Sequence, residues 1–164
     1  MGTPSTPFQA RFTVRSYEVD TQGHLNSAVY HQYGDHVRWE MLRAAGVSVE
    51  ELLASGLGPV QLESTIRFHR ELRFGDSVDV SCAYAWGDGK TFRLMLEYRR
   101  TDGTLAAELD TVCGLMNLAG RRLVADPGAQ LRSLASAPEV LGLGPGAFGR
   151  SVQLDEQRAG HEQE

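Results

Sequence analysis

The sequence predicts one α+β domain in which an antiparallel sheet curls around a single long helix. Three observations carry this reading. A short alternating segment opens the chain, the period changes to a helical one from about Ala28 to Ala45, and four further alternating segments follow, joined by tight turns. A helix with an apolar stripe needs a surface to cover it, and five strands cover it only if their sheet bends.

Taken in order, Phe8, Ala10, Phe12 and Val14 alternate with Gln9, Arg11, Thr13 and Arg15, the period of two of a half-buried strand. This strand ends near Asp20, where Thr21-Gln22-Gly23 marks a turn. Asn26 and Ser27 come next, and both are good N-caps because a short side-chain oxygen can take an orphan backbone N–H. Val29, Tyr33, Val37, Met41 and Ala44 then recur at helical spacing, while Gln32, Asp35, Glu40 and Arg43 lie off the stripe. Arg43 suits the last turn of the helix and Gly46 its C′ position. Gly34 within the helix costs up to ~1 kcal/mol against alanine, so something is expected to pack close to the backbone there.

A short second helix is predicted over Val49 to Ala54, stopped by Gly56, Gly58 and Pro59. The remaining strands are carried by Val60 to Phe68, Val78 to Trp86, Phe92 to Tyr98 and Leu105 to Leu115. Gly75-Asp76, Gly87-Asp88-Gly89 and Asp102-Gly103 separate them, and such short connections force antiparallel neighbours. Residues 129–135 read as one short helix. The domain is therefore expected over 1–135, with a poorly ordered tail over 136–164 that is rich in Gly, Pro and Gln. Sheet edges left open are a hazard unless paired, so the chain is expected to form at least a homodimer, or a homotetramer.

Composition narrows the function. The 164 residues are 41% hydrophobic and 23% charged, enough apolar material for a real core. Sixteen Lys and Arg against twenty-one Asp and Glu leave a formal charge of −5, which argues against nucleic-acid or anionic-membrane partners. No apolar run approaches a membrane span, and the amino-terminal residues lack the layout of a secretory signal. Cys82 and Cys113 fall at inward positions of strands and make no disulfide framework, so a reduced cytoplasmic compartment is expected. The five histidines show no metal-binding pairing, and no metal site is expected.

The informative stretch runs from Tyr17 to Tyr30. Asp20 sits at a strand-to-helix junction, where the free N–H groups of the first helical turn and the helix dipole favour negative charge. A carboxylate beside such a helix end has the two parts needed to attack a carbonyl: a base or nucleophile, and a hole for the developing oxyanion. Aspartate near a helix N-terminus is also an ordinary structural feature.

The run Asp20-x-x-Gly23-His24-x-Asn26-Ser27-x-x-Tyr30, followed by Tyr33, Asp35 and Arg38, resembles the signature of hotdog-fold acyl-CoA thioesterases. The nearest likeness is to the 4-hydroxybenzoyl-CoA thioesterase-like group, and it covers roughly residues 8–125. This resemblance implies a hydrolase acting on acyl-CoA or an acyl carrier protein, with coenzyme A present only as part of the substrate and no other cofactor. It implies that Asp20 is the general base or nucleophile and that the Ser27 backbone N–H polarises the thioester carbonyl. His24 and Asn26 match positions that shape the site. Lys90, just past a turn, lies where relatives carry basic residues meeting coenzyme A phosphates. Two departures stand out: Asp35 replaces a longer Glu, and the turn before Lys90 is not uniformly basic.

The inventory suits thioester chemistry, because a thiolate with a pKa of ~8.5 leaves with little help from an acid. Plainer roles stand beside these: His24 on a loop carbonyl, Asn26 as a cap, and Tyr30 and Tyr33 as core or as the wall of a substrate pocket. His31 and His36 read as ordinary helix residues, and His69-Arg70 with Arg67 as a solvated face rather than a phosphate clamp. The rival class is a hotdog domain that holds an acyl group without turning it over; Asp20 argues against it. A hydratase branch fits less well, since the four-residue step from Asp20 to His24 and the Gly-His-x-Asn context match the thioesterases.

Overall fold

The computed structural model describes residues 7–145. The opening alternation becomes β1 (Phe8–Thr13), with Phe8, Ala10 and Phe12 turned toward the core and the residues between them exposed. The long helix is α1 (Ser27–Ala44), capped by the Asn26 side chain, which accepts from the Ala28 amide at 3.0 Å. Helix α2 (Val49–Ala54) has the predicted limits, and its cap is the Ser48 hydroxyl on the Glu51 amide. Four long strands follow: β2 (Leu57–Phe68), β3 (Ser77–Trp86), β4 (Thr91–Arg100) and β5 (Leu105–Asn117). A two-residue β6 (Arg122–Leu123) pairs with β5, and α3 (Pro127–Leu134) closes the helical part.

The strands are hydrogen-bonded in the order β1-β3-β4-β5-β2, all antiparallel, and the sheet curls around α1 in the hotdog arrangement. β1 and β2 are its edges. Val29, Tyr33, Val37 and Met41 of α1 are buried as the stripe predicts, against Val78, Val80, Leu96 and Tyr98 of the sheet. Ala44 is a correction: it is exposed, and Leu42 is buried instead. The far end of α1 is covered from a second side, where Leu42 shares a small cavity with Leu52 of α2 and Leu131 of α3. The apolar face therefore widens beyond a single stripe.

Strand β2 begins three residues earlier than the alternation shows, and carries Gly58 and Pro59 within it. Proline is tolerated there because an edge strand has one unpaired side. A bulge between Gln61 and Glu63 then breaks the alternation and leaves Leu62 half exposed.

The predicted tail boundary is corrected as well. After α3 the chain turns through a 3₁₀ segment, Pro138–Leu141, and buries Leu141 and Leu143 in the core. The Trp86 indole N–H donates to the Leu141 carbonyl at 2.6 Å, and Ala137 donates to the Ala45 carbonyl. Residues 136–145 thus belong to the domain; 146–164 lie outside the described residues.

Candidate active site

The segment linking β1 to α1 is held at both ends by backbone bonds. The Val14 amide donates to the Asp76 carbonyl and the Gly75 amide to the Val14 carbonyl, each at 2.9 Å. A 3₁₀ turn at Ser16–Glu18 follows, and its Glu18 is buried. The Glu18 carboxylate accepts from the Arg15 amide at 2.8 Å, the Arg15 guanidinium at 3.0 Å and the Tyr33 hydroxyl at 2.5 Å. Burial pushes its pKa up, but these donors together outweigh that and leave it below the ordinary value. The Glu18 carbonyl takes the Asn26 amide at 2.9 Å, which ties the loop to the start of α1.

Between these anchors lies a tight turn. The Asp20 amide donates to the His24 carbonyl at 2.7 Å and the Gly23 amide to the Asp20 carbonyl at 3.0 Å. Gly23 has φ 77°, a left-handed conformation that favours glycine, which explains its place in the motif. Asp20 Oδ1 accepts from the Gln22 amide at 2.8 Å and the His24 amide at 3.2 Å. The His24 and Gln22 amides hold the Asp20 pKa below the ordinary carboxylate value. Oδ2 makes no hydrogen bond among the described residues, so half of the carboxylate is committed to the loop and half is available.

Asp20 lines a cleft of about 340 Å³. Two chain segments line it: Asp20, His24, Leu25, Asn26, Ser27 and Tyr30 from the loop and the start of α1, and Phe68, His69, Arg70 and Glu71 from the end of β2 and the residues after it. Ser27 is the first residue of α1, so its amide precedes any intrahelical acceptor, while Ala28 and Val29 donate to the Asn26 side chain and carbonyl. The structure therefore brings Asp20, His24, Asn26, Ser27 and Tyr30 together, as the motif predicts. Tyr30 is buried and packs edge-on against Phe68 at 5.2 Å, and burial pushes its pKa up to about 12.

Two expectations are corrected. Tyr33 is not a wall of this cleft: its ring stacks on Phe12 at 4.2 Å and its hydroxyl is spent on Glu18, so it braces the loop from inside. Lys90 is exposed on the turn between β3 and β4, beside the Trp86–Phe92 pair. Phe92 pairs with Cys113, whereas the cleft borders the Phe68–Ala107 pair. At roughly 3.4 Å per residue along β5, that separation is about 20 Å, and the chain does not bring Lys90 to Asp20.

Sequence reasoning missed Glu18, and it set His69 and Arg70 down as a solvated face where the structure has them line the cleft. The amides of His69 and Arg70 both donate to the Ala106 carbonyl, at 2.8 and 3.1 Å, and this turns the end of β2 toward the cleft. Nothing local in the sequence announces that pairing. Among the described residues no group of three or more His, Cys, Asp or Glu is placed to hold a metal ion.

Residues 14–141 match the model of the thioesterase-like superfamily. The chain belongs to that superfamily. Among curated proteins, this thioesterase-like chain is 38% identical over 68 residues to the chloroplastic acyl-acyl carrier protein thioesterase ATL3 of Arabidopsis thaliana. That match covers 42% of the chain and 36% of the relative, so the chain spans about a third of the length of the curated protein it matches. Among solved structures, a hypothetical protein of Staphylococcus aureus in complex with CoA superposes with a TM-score of 0.73 at 22% identity, covering 94% of this chain and 99% of that one. A 1,4-dihydroxy-2-naphthoyl-CoA thioesterase of Synechocystis gives a TM-score of 0.69 at 17% identity, over 78% and 93% of the two chains. At these identities the structural likeness shows the hotdog fold of this superfamily member.

Proposed function

We propose that this superfamily member hydrolyses the thioester of an acyl group carried on coenzyme A or on an acyl carrier protein. The observation that carries the reading is the free Oδ2 of Asp20 lining the same cleft as the amide of Ser27. A thioester carbonyl directed at that amide gains a donor for the charge that develops on its oxygen. Asp20 then has two routes. As nucleophile, Oδ2 bonds to the acyl carbon, the C–S bond breaks, and the thiolate departs; water cleaves the resulting anhydride and restores the carboxylate. As general base, the carboxylate takes a proton from the water that attacks.

The two loop amides lower the Asp20 pKa, which does not give the raised value that suits a general base near neutrality, whereas a nucleophile needs only to be ionised. Both thiol carriers have support in named relatives, one solved with CoA and one named for acyl carrier protein. Asp20→Asn tests the reading. The amide oxygen can still accept from Gln22 and His24, so the loop is preserved, while thioester hydrolysis should fall at least about a hundredfold. A variant that keeps wild-type turnover of every acyl thioester tested defeats the proposal.

The functional unit proposed is a homodimer. β2 is an edge strand whose Leu62 and Phe68 are each about half exposed, and Phe68 also walls the cleft. A second copy set against this edge covers that apolar surface and completes the site. Sedimentation of wild type and Leu62→Glu checks it: the dimer should weaken and activity should fall with it.

A further inference from the structure

Most of the charged side chains lining the cleft have partners. His69 Nε2 lies 2.8 Å from Glu108, and Glu71 takes the Arg73 guanidinium at 3.4 Å. Asp20 Oδ1 is held by two amides. Of the arginines and lysines, Arg70 is the one that lines this cleft, and it has no carboxylate within ion-pair distance among the described residues; its one bond is from Nη1 to the carbonyl of His69 at 2.7 Å. Elsewhere on the sheet, Arg11, Arg93 and Arg99 each hold a carboxylate, whereas Arg67 and Arg122, which do not, lie outside the cleft. Arg70 is exposed and lines the same cleft as Asp20.

An unpaired guanidinium at the rim of a catalytic cleft is a site for an anion, and its planar fork suits phosphate. The chain as a whole is acidic, at −5, so a phosphate entering this cleft gains nothing from the general field and needs a specific cation. Asp20 and Glu71 would repel it; Glu71 is occupied by Arg73, and Asp20 is engaged through Oδ1 by two loop amides. We infer that Arg70 contacts the phosphate of the phosphopantetheine arm that presents the thioester to Asp20. This rests on the proposed thioester activity and transfers the phosphate contact from Lys90 to Arg70. The arm is common to coenzyme A and to carrier proteins, so one arginine serves both carriers.

One acyl group on three thiols tests it: coenzyme A, a carrier protein, and N-acetylcysteamine, which has no phosphate. In Arg70→Ala, kcat/KM for whichever phosphate-bearing carriers the wild type accepts should drop on the order of tenfold relative to N-acetylcysteamine, through KM. Arg70→Lys should recover part of the loss. Equal losses on all three thiols overturn the inference, and so does a loss on coenzyme A with none on an accepted carrier protein. Calorimetric titration with coenzyme A and with pantetheine reads the same contact without turnover. Wild type should prefer coenzyme A and Arg70→Ala should lose that preference; no preference in wild type overturns the contact. Absence of turnover with intact binding would instead defeat the hydrolytic proposal.

Discussion

The Tyr98 hydroxyl donates to the backbone carbonyl of Tyr30, entering α1 at the point where Gly34 leaves it room. A Cβ at position 34 would stand 2.9 Å from that hydroxyl, 3.1 Å from Leu109 and 3.2 Å from Leu96. The glycine thus lets α1 settle onto the sheet and fixes the height of Tyr30, whose ring walls the cleft beside Asp20.

Gly34→Ala should therefore destabilise the protein by about 1–3 kcal/mol, although alanine is the better helix former. Tyr98→Phe removes the donor at a cost of about 1 kcal/mol and also removes the nearest atom from the added methyl. The double variant should be more stable than the sum of the two losses implies. Urea melts of all four proteins measure that coupling, and strict additivity would show that the two positions do not meet.

The expectation of a close approach at Gly34 comes straight from the sequence, since a mid-helix glycine needs a reason. β1, the Asn26 cap and α2 are equally legible, because each rests on a local period or a single capping oxygen. What stayed hidden depends on partners distant in the chain. Nothing near Glu18 in the chain marks it for burial, which the Tyr33 hydroxyl and Arg15 make tolerable. His69 and Arg70 read as a solvated face until the Ala106 carbonyl gathers both amides. Leu141 and Leu143 stand among glycines and prolines, whose turn chemistry masks two core positions.

Tyr33→Phe should separate bracing from binding. The hydroxyl that Glu18 loses is a strong donor to a buried carboxylate, so the melting midpoint should correspond to a loss of about 1–3 kcal/mol. Glu18 also holds the Asn26 amide, so looser packing should reach the start of α1 and lower kcat. KM should stay near wild type, because the ring faces Phe12 and not the cleft. A large rise in KM with unchanged stability would return Tyr33 to the substrate wall.

The pH profile follows from Asp20. Its pKa lies below the ordinary 3.8 because the folded loop supplies amides that the unfolded chain lacks. A depressed folded value means that its contribution to stability is present above the unfolded pKa and is lost as pH falls through the folded one. The carboxylate is ionised throughout the neutral and mildly acid range, so kcat/KM should show no Asp20 limb between pH ~5 and ~7. Single turnover in ¹⁸O-labelled water should place label in the Asp20 carboxylate if it attacks directly. A limb near pH ~6 that vanishes in Asp20→Asn, with no label in the protein, would make the residue a general base.

The segment after α3 yields the last expectation. Leu141 is fully buried, and its carbonyl receives the Trp86 indole, whose ring packs with Tyr84 and Phe92. Leu141→Ala should cost about 2–5 kcal/mol, the range for a buried leucine whose cavity cannot fully collapse. Ending the chain after Ser136 should cost more, since Leu143 leaves with it and the Arg132 side chain loses the Leu143 carbonyl. The cleft around Asp20 lies at the other end of β5, so kcat measured well below the melting point should hold in Leu141→Ala. Thermal melts read beside turnover at low temperature decide it: a fall in kcat without a fall in stability would mean that this segment reaches the site.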